Sequence, residues 1–265
     1  MTLQPDSAVH LPQGASATNS IVAGEPLPGI LLDLRLDRTT FIAGGVIEPQ
    51  IVIHNTTGFD ANIDAGASAA APGQPPTAGS RQSDPRWWPD LRGQHSPGGR
   101  RLASGESLTL SSIVQLPFDP TQPVELHATV RVGLPTMTPP GSGRLVDVDV
   151  PLQLTAPTPD QELTLELQTD RHQWCLQATT TGGAVPMEPL DVALTLHGSR
   201  LYGERAPLAE DGGVYAGRWG LEGEVSMANG VVVDRPADDP FMVSAWAGGP
   251  DYVTAVTQGA VPAGP

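Results

Sequence analysis

Trp87 and Trp88 stand side by side in a stretch that also carries Arg81, Arg86, Arg92, Arg100 and Arg101, opposed only by Asp84 and Asp90. Adjacent indoles offer a broad, stiff apolar surface, and each guanidinium adds a permanent charge and a fork of donors. Protein interfaces favour this combination for their anchoring residues. The same groups can also stack on sugars or bases. Arg86, Trp87, Trp88, Arg92, Arg100 and Arg101 are therefore the candidate partner-binding set. The alternative is that the stretch folds back, its tryptophans plugging an end of the fold and its arginines pairing with acidic strands.

No other group of residues makes a comparable case for chemistry. The six histidines, at 10, 54, 95, 127, 172 and 197, are scattered. His54 and His127 face outward on expected strands and could be neighbours, but two histidines without a third ligand do not make a zinc site. Asp234, Asp238 and Asp239 could gather on a hard cation, yet their spacing follows no ordered calcium loop, and a solvated turn accounts for them. Cys175 lies in Gln173-Trp174-Cys175-Leu176, a strand-like run in which a buried structural thiol is expected. A single cysteine excludes an internal disulfide. All 14 basic residues are arginine, so Schiff-base and phosphate-loop lysines are missing. There is no G-x-S-x-G and no H-E-x-x-H. The sequence thus assigns no catalytic residue, no cofactor and no metal ligand, and an enzyme is not expected.

The residues that could bind must be held by something, and the alternation of apolar and polar side chains says what. Leu32, Leu34 and Leu36 alternate with Asp33, Arg35 and Asp37, giving one apolar and one wet face. After Thr39 to Gly45, Ile47, Ile51 and Ile53 repeat the pattern, which ends at the turn cluster Asn55-Thr56-Thr57-Gly58. Two half-buried strands need a second sheet over their apolar face. The spacing Asp37, Phe41, Gly44, the hydrophobic run Val46 to Ile53, and Asn55 resembles a bacterial immunoglobulin-like β-sandwich repeat. Gly45 departs from that repeat, which usually has an acidic residue there. The resemblance spans Leu31 to Asn55 and implies a fold. It does not imply a function, because such sandwiches occur in adhesins, enzyme accessory modules and intracellular subtilisin-inhibitor-type proteins.

A chain of 265 residues is long enough for two cores. Residues 1–27, rich in Ser, Ala, Pro and Gly, read as a flexible N-terminal arm. Residues 28–156 read as a first sandwich, with further strands centred on Leu108 to Leu116, Val124 to Val132 and Val146 to Leu154. Pro151 favours an edge or strand-switch position. Between them residues 66–103 follow no period and read as a long irregular insertion, its first half, Ala67 to Ser80, mobile. Ala156-Pro157-Thr158-Pro159-Asp160 is a short, stiff linker. Residues 157–265 read as a second sandwich with strands at 173–179, 190–197, 214–219, 224–233, 241–247 and 252–257. It opens on Leu163, Leu165 and Leu167, a weak repeat of Leu32, Leu34 and Leu36. Glu210 to Tyr215 looks like the corner of immunoglobulin-like domains, in which the Tyr hydroxyl bonds back across the turn. The expected fold class is all-β: two immunoglobulin-like antiparallel sandwiches in tandem with a long irregular loop in the first.

A formal net charge of −15 argues against nucleic acid and anionic membrane surfaces, and no apolar run is long enough to insert in a membrane. No signal peptide is visible. The expected setting is extracellular or cell-surface if the chain is a mature form, and cytoplasmic otherwise. The function expected is that of a non-catalytic structural or adhesive protein. It would act through a protein partner or through self-association into a homo-oligomer, in an assembly or at a cell surface. The second expectation is a protease-inhibitor-like regulatory protein presenting loop 66–103.

Overall fold

The computed structural model describes residues 19–72, 85–86, 100–135, 143–170, 173–187, 190–196, 199–200, 204–205, 214–221, 230–233 and 241–261. The first part contains β1 (Asn19–Leu27), β2 (Ile30–Leu36), β3 (Thr40–Ile42), β4 (Val46–Ile47), β5 (Gln50–Asn55), β6 (Ala61–Ala70), β7 (Arg100–Leu102), β8 (Ser107–Ser111), β9 (Val114–Gln115), β10 (Val124–Gly133) and β11 (Gly143–Thr155). One sheet runs β1-β2-β5-β8, the other β3-β11-β10-β6-β7, and β4 pairs with β9. Leu32, Leu34, Ile51 and Ile53 from the first sheet and Leu126, Val130, Val132 and Ile63 from the second close one core. β10 shows the cause most plainly. Its even-numbered Leu126, Ala128, Val130 and Val132 are buried, and its ladder to β11 runs from Val124↔Leu152 to Gly133↔Gly143 without a slip. β2 and β5 lie side by side, Leu32 opposite Ile53. Between them the chain crosses to the other sheet, where β3 pairs in parallel with the end of β11. Pro151 sits just before that pairing begins at Gln153, where a missing N–H leaves no ladder bond unmade.

Two expectations are corrected here. The arm expected over residues 1–27 is a strand from Asn19 onward: β1 pairs antiparallel with β2. Register shifts between Ser20 and Val22 and between Gly24 and Leu27 break the two-residue rhythm, so the alternation that marks a strand is erased from the sequence. The insertion expected over 66–103 is shorter at both ends. Ala61–Ala70 is a ten-residue strand and Arg100–Leu102 pairs with it. Ala65, Ala67 and Ala69 pack on the core, with Gly66 and Ser68 between them. Small residues on both faces give no hydrophobic contrast, so the run reads as loop although it is full-length strand.

The second part contains β12 (Leu163–Thr169), β13 (Gln173–Thr180), β14 (Asp191–Leu196), β15 (Ser199–Arg200), β16 (Glu204–Arg205), β17 (Val214–Leu221), β18 (Gly230–Val233), β19 (Phe241–Gly249) and β20 (Tyr252–Val261). Its sheets run β12-β13-β17-β18 and β15-β14-β19-β20, with β16 also on β14. Trp174, Leu176, Leu194, Tyr215, Val243 and Ala245 belong to its own core cluster. Both parts are immunoglobulin-like β-sandwiches, their strands predominantly antiparallel. The repeated Leu-x-Leu-x-Leu turns out to occupy unlike places. β2 is interior and its leucines are fully buried, whereas β12 is an edge and its leucines are half-buried. The connection tightens into a 3-10 turn over Pro159–Gln161, where the Thr158 N–H donates to Gln161 Oε1 (3.1 Å) and the Gln161 N–H to the Thr158 carbonyl (2.9 Å).

Candidate functional site at the sandwich junction

The bend after β3 brings the two sandwiches into contact. Gly44 takes φ +77, a left-handed conformation that L side chains resist. Its N–H donates to the Pro117 carbonyl (2.7 Å), and its own carbonyl accepts from the Thr254 N–H of the second sandwich (2.8 Å). Gln115 bridges the same place. Its Nε2 donates to the Gly44 carbonyl (2.8 Å), and its Oε1 accepts from Thr254 Oγ1 (3.1 Å). There is no room for side chains: a Cβ on Gly44 would lie 2.5 Å from the Phe118 ring and 3.0 Å from Val253, and one on Gly248 would lie 3.2 Å from Val46. Beside them Arg38 bonds Asp251 (2.7 Å) while its guanidinium lies 5.2 Å from the Phe41 ring centroid. The departure at Gly45 now has a cause. A Cβ there would sit 3.0 Å from the Gly249 carbonyl, so a side chain at this position would crowd the neighbouring sandwich.

Midway along, the insertion touches this junction. The Arg86 guanidinium lies 4.1 Å from the centroid of the Phe118 ring, a cation–π contact with the first sandwich. One residue earlier, the Pro85 carbonyl accepts from Trp246 Nε1 of the second sandwich (3.1 Å). Arg100 and Arg101 belong to a different setting, strand β7. Arg101 bonds Asp60 through Nε (2.8 Å) and Nη2, and this holds the Asp60 carboxyl below its ordinary pKa. Arg101 thus braces the turn before β6. Arg100 lines a shallow cleft with Ile63, Asp64, Ala65, Thr109, Leu110 and Ser111. Trp87, Trp88 and Arg92 lie outside the described residues. Sequence reasoning passed over Trp246, Phe118, Gln115 and Thr254. The signal that could have found the junction was Gly45, an unexplained loss of a side chain in an otherwise matching pattern.

The remaining candidates resolve locally. His54 and His127 are on different sheets: His54 Nδ1 meets Ser107 Oγ at 2.6 Å, and His127 faces its cross-strand partner Asp149. Cys175 is half-exposed rather than buried, because Trp174 and Leu176 take the inward face of β13. Tyr215 is buried, and burial pushes its hydroxyl above the ordinary phenol range, with the Leu190 backbone pulling the other way. That hydroxyl makes no well-formed hydrogen bond. A tyrosine tie is made instead by Tyr252, whose hydroxyl accepts from the Met187 N–H (2.9 Å). Asn55, in the sequon-like Asn55-Thr56-Thr57, is fully buried with Nδ2 donating to the Phe59 (2.9 Å) and Leu102 (3.0 Å) carbonyls, so the folded chain offers no amide to a glycan. Asp234, Asp238 and Asp239 lie outside the described residues, among which no three His, Cys, Asp or Glu side chains come together as metal ligands.

No protein-family model and no curated protein matches the sequence. Among solved structures, the chain is similar to red sea bream transglutaminase at 10% identity and a TM-score of 0.27, covering 88% of this chain and 31% of that one. It is also similar to a marsupial T cell receptor at 12% identity and a TM-score of 0.22, covering 88% of this chain and 71% of that one. The chain thus spans under a third of the transglutaminase.

Proposed function

We propose that the chain is a non-catalytic protein-interaction module, acting in an assembly or at a cell surface, in which two bonded sandwiches hold Pro85 and Arg86 of the 71–99 insertion and so present it to a protein partner. One observation supports this most: the insertion is held midway from both sides, Pro85 by Trp246 of the second sandwich and Arg86 by Phe118 of the first. A loop anchored to two bodies loses less conformational freedom on binding than one hung from a single strand pair, and so costs less affinity to order. Trp87 and Trp88 follow directly in sequence and supply the anchor chemistry.

The test is a comparison of wild type with the Trp87→Ala/Trp88→Ala double variant. Immobilised wild-type chain should retain a protein partner that the double variant releases, with both chains melting at the same temperature. If retention is equal and the double variant melts earlier, the tryptophans pack inward and this function is wrong.

A further inference from the structure

β8 ends its sheet, and among the described residues its far side meets no strand. Its ladder to β5 runs from His54↔Ser107 to Gln50↔Ser111 without a slip. The flanking bonds fix which backbone groups point where. The Asn55 N–H donates to the Glu106 carbonyl (3.0 Å) and the Ser112 N–H to the Pro49 carbonyl (3.3 Å), so even-numbered residues turn their N–H and C=O toward β5. Ser107, Thr109 and Ser111 therefore turn theirs to the open edge. Proteins guard such edges with charge, proline, bulges or brevity. Three other outer strands here comply: β7 is three residues long with two arginines, β1 carries two register shifts, and β12 carries Glu166. β8 is Ser-Leu-Thr-Leu-Ser and has none of these devices.

That sequence reads the same in both directions. We propose that β8 pairs antiparallel with β8 of a second copy, about a two-fold axis at Thr109. Thr109 then faces Thr109, and Ser107 faces Ser111. The outward groups of both strands are satisfied by about six N–H···O bonds. Leu108 falls opposite Leu110; both already pack against the core, so the pair extends the apolar layer from one copy into the next. Electrostatics favours the same register. In a chain of net charge −15, an uncharged edge is where two copies repel least. The interface is isologous, as two-fold symmetry requires. A ladder of five residues falls short of the ~1,200 Å² of a stable interface, so the association is concentration-dependent.

Sedimentation velocity from micromolar to millimolar chain should show wild-type mass rising toward twice that of the monomer. Thr109→Pro should abolish the rise while leaving the melting temperature unchanged, because the lost N–H faces outward and proline is tolerated on an edge. Leu110→Pro, whose N–H serves the β5 ladder, should lower the melting temperature instead. In a Cys175→Ser background, Thr109→Cys should oxidise to a linked dimer, since facing Cα atoms lie about 5.5 Å apart. Ser107→Cys alone should not link, but mixed with Ser111→Cys it should. A wild type that stays monomeric at millimolar concentration, because a segment of its own or nothing at all covers the edge, overturns the proposal; so does a dimer that Thr109→Pro leaves intact. The Trp87→Ala/Trp88→Ala variant should dimerise like wild type, which separates this outcome from that of the insertion.

Discussion

Replacing Gly44 by alanine tests the packing of the bend after β3 against Phe118. Two costs add. The left-handed φ of +77 penalises any Cβ by about 1–2 kcal/mol. The new methyl would also lie 2.5 Å from Cδ1 and 2.8 Å from Cε1 of Phe118, and a ring held in a packed junction moves aside only at an overpacking cost of about 1–3 kcal/mol. The sum is about 2–5 kcal/mol, which at roughly 3 °C per kcal/mol lowers the melting temperature by about 6–15 °C. Gly105→Ala supplies the control: its φ is +83, but nothing lies within 4 Å of the added Cβ, so only the backbone cost of about 1–2 kcal/mol applies. Differential scanning calorimetry on both variants should show Gly44→Ala falling further. The displaced Phe118 should also release Arg86, so trypsin should cut after Arg86 faster in Gly44→Ala than in Gly105→Ala. Equal losses of stability in the two variants, with equal cleavage, would refute the packing of Gly44 on Phe118.

Asn55→Ala should cost about 2–4 kcal/mol, because the Phe59 and Leu102 carbonyls lose a buried donor. Asn55→Asp should be worse at neutral pH and recover partly in acid, because a buried carboxylate facing two carbonyls prefers to be protonated. Urea unfolding at pH 7 and pH 4 distinguishes them, and an aspartate tolerated better than alanine at pH 7 would mean the amide is oriented the other way. Trp246→Phe keeps the ring but loses the bond to the Pro85 carbonyl, so cleavage after Arg86 should quicken with the melting temperature almost unchanged; unchanged cleavage would show that the insertion is not held by the second sandwich.

Much of the fold is legible because it rests on contrast between neighbours. β10 alternates Leu126, Ala128, Val130 and Val132 with Glu125, His127, Thr129 and Arg131, and that contrast alone orients the strand. Where the contrast vanishes, legibility goes with it: Ala61–Ala70 is small on both faces, and Asn19–Leu27 slips register twice. The candidate site was harder. Arg100 and Arg101 read as companions of Arg86, yet β7 draws them to the edge near Asp60 and Asp64, while Arg86 stays on Phe118. Proximity in sequence said nothing about this, because Arg100 and Arg101 are taken up by a strand and Arg86 is not.

Periodicity of side chains is a property of one segment and its two faces, so the sequence by itself determined that the chain is built of strands and, where apolar and polar side chains alternate as in β10, which residues lie inward. Which sandwich surfaces meet is a property of pairs of distant segments. The junction of Gly44, Gln115, Phe118, Trp246 and Thr254 therefore emerged only in three dimensions, as did the open edge of β8. Both depend on which backbone groups are left over after local pairing, and a linear pattern does not record that remainder.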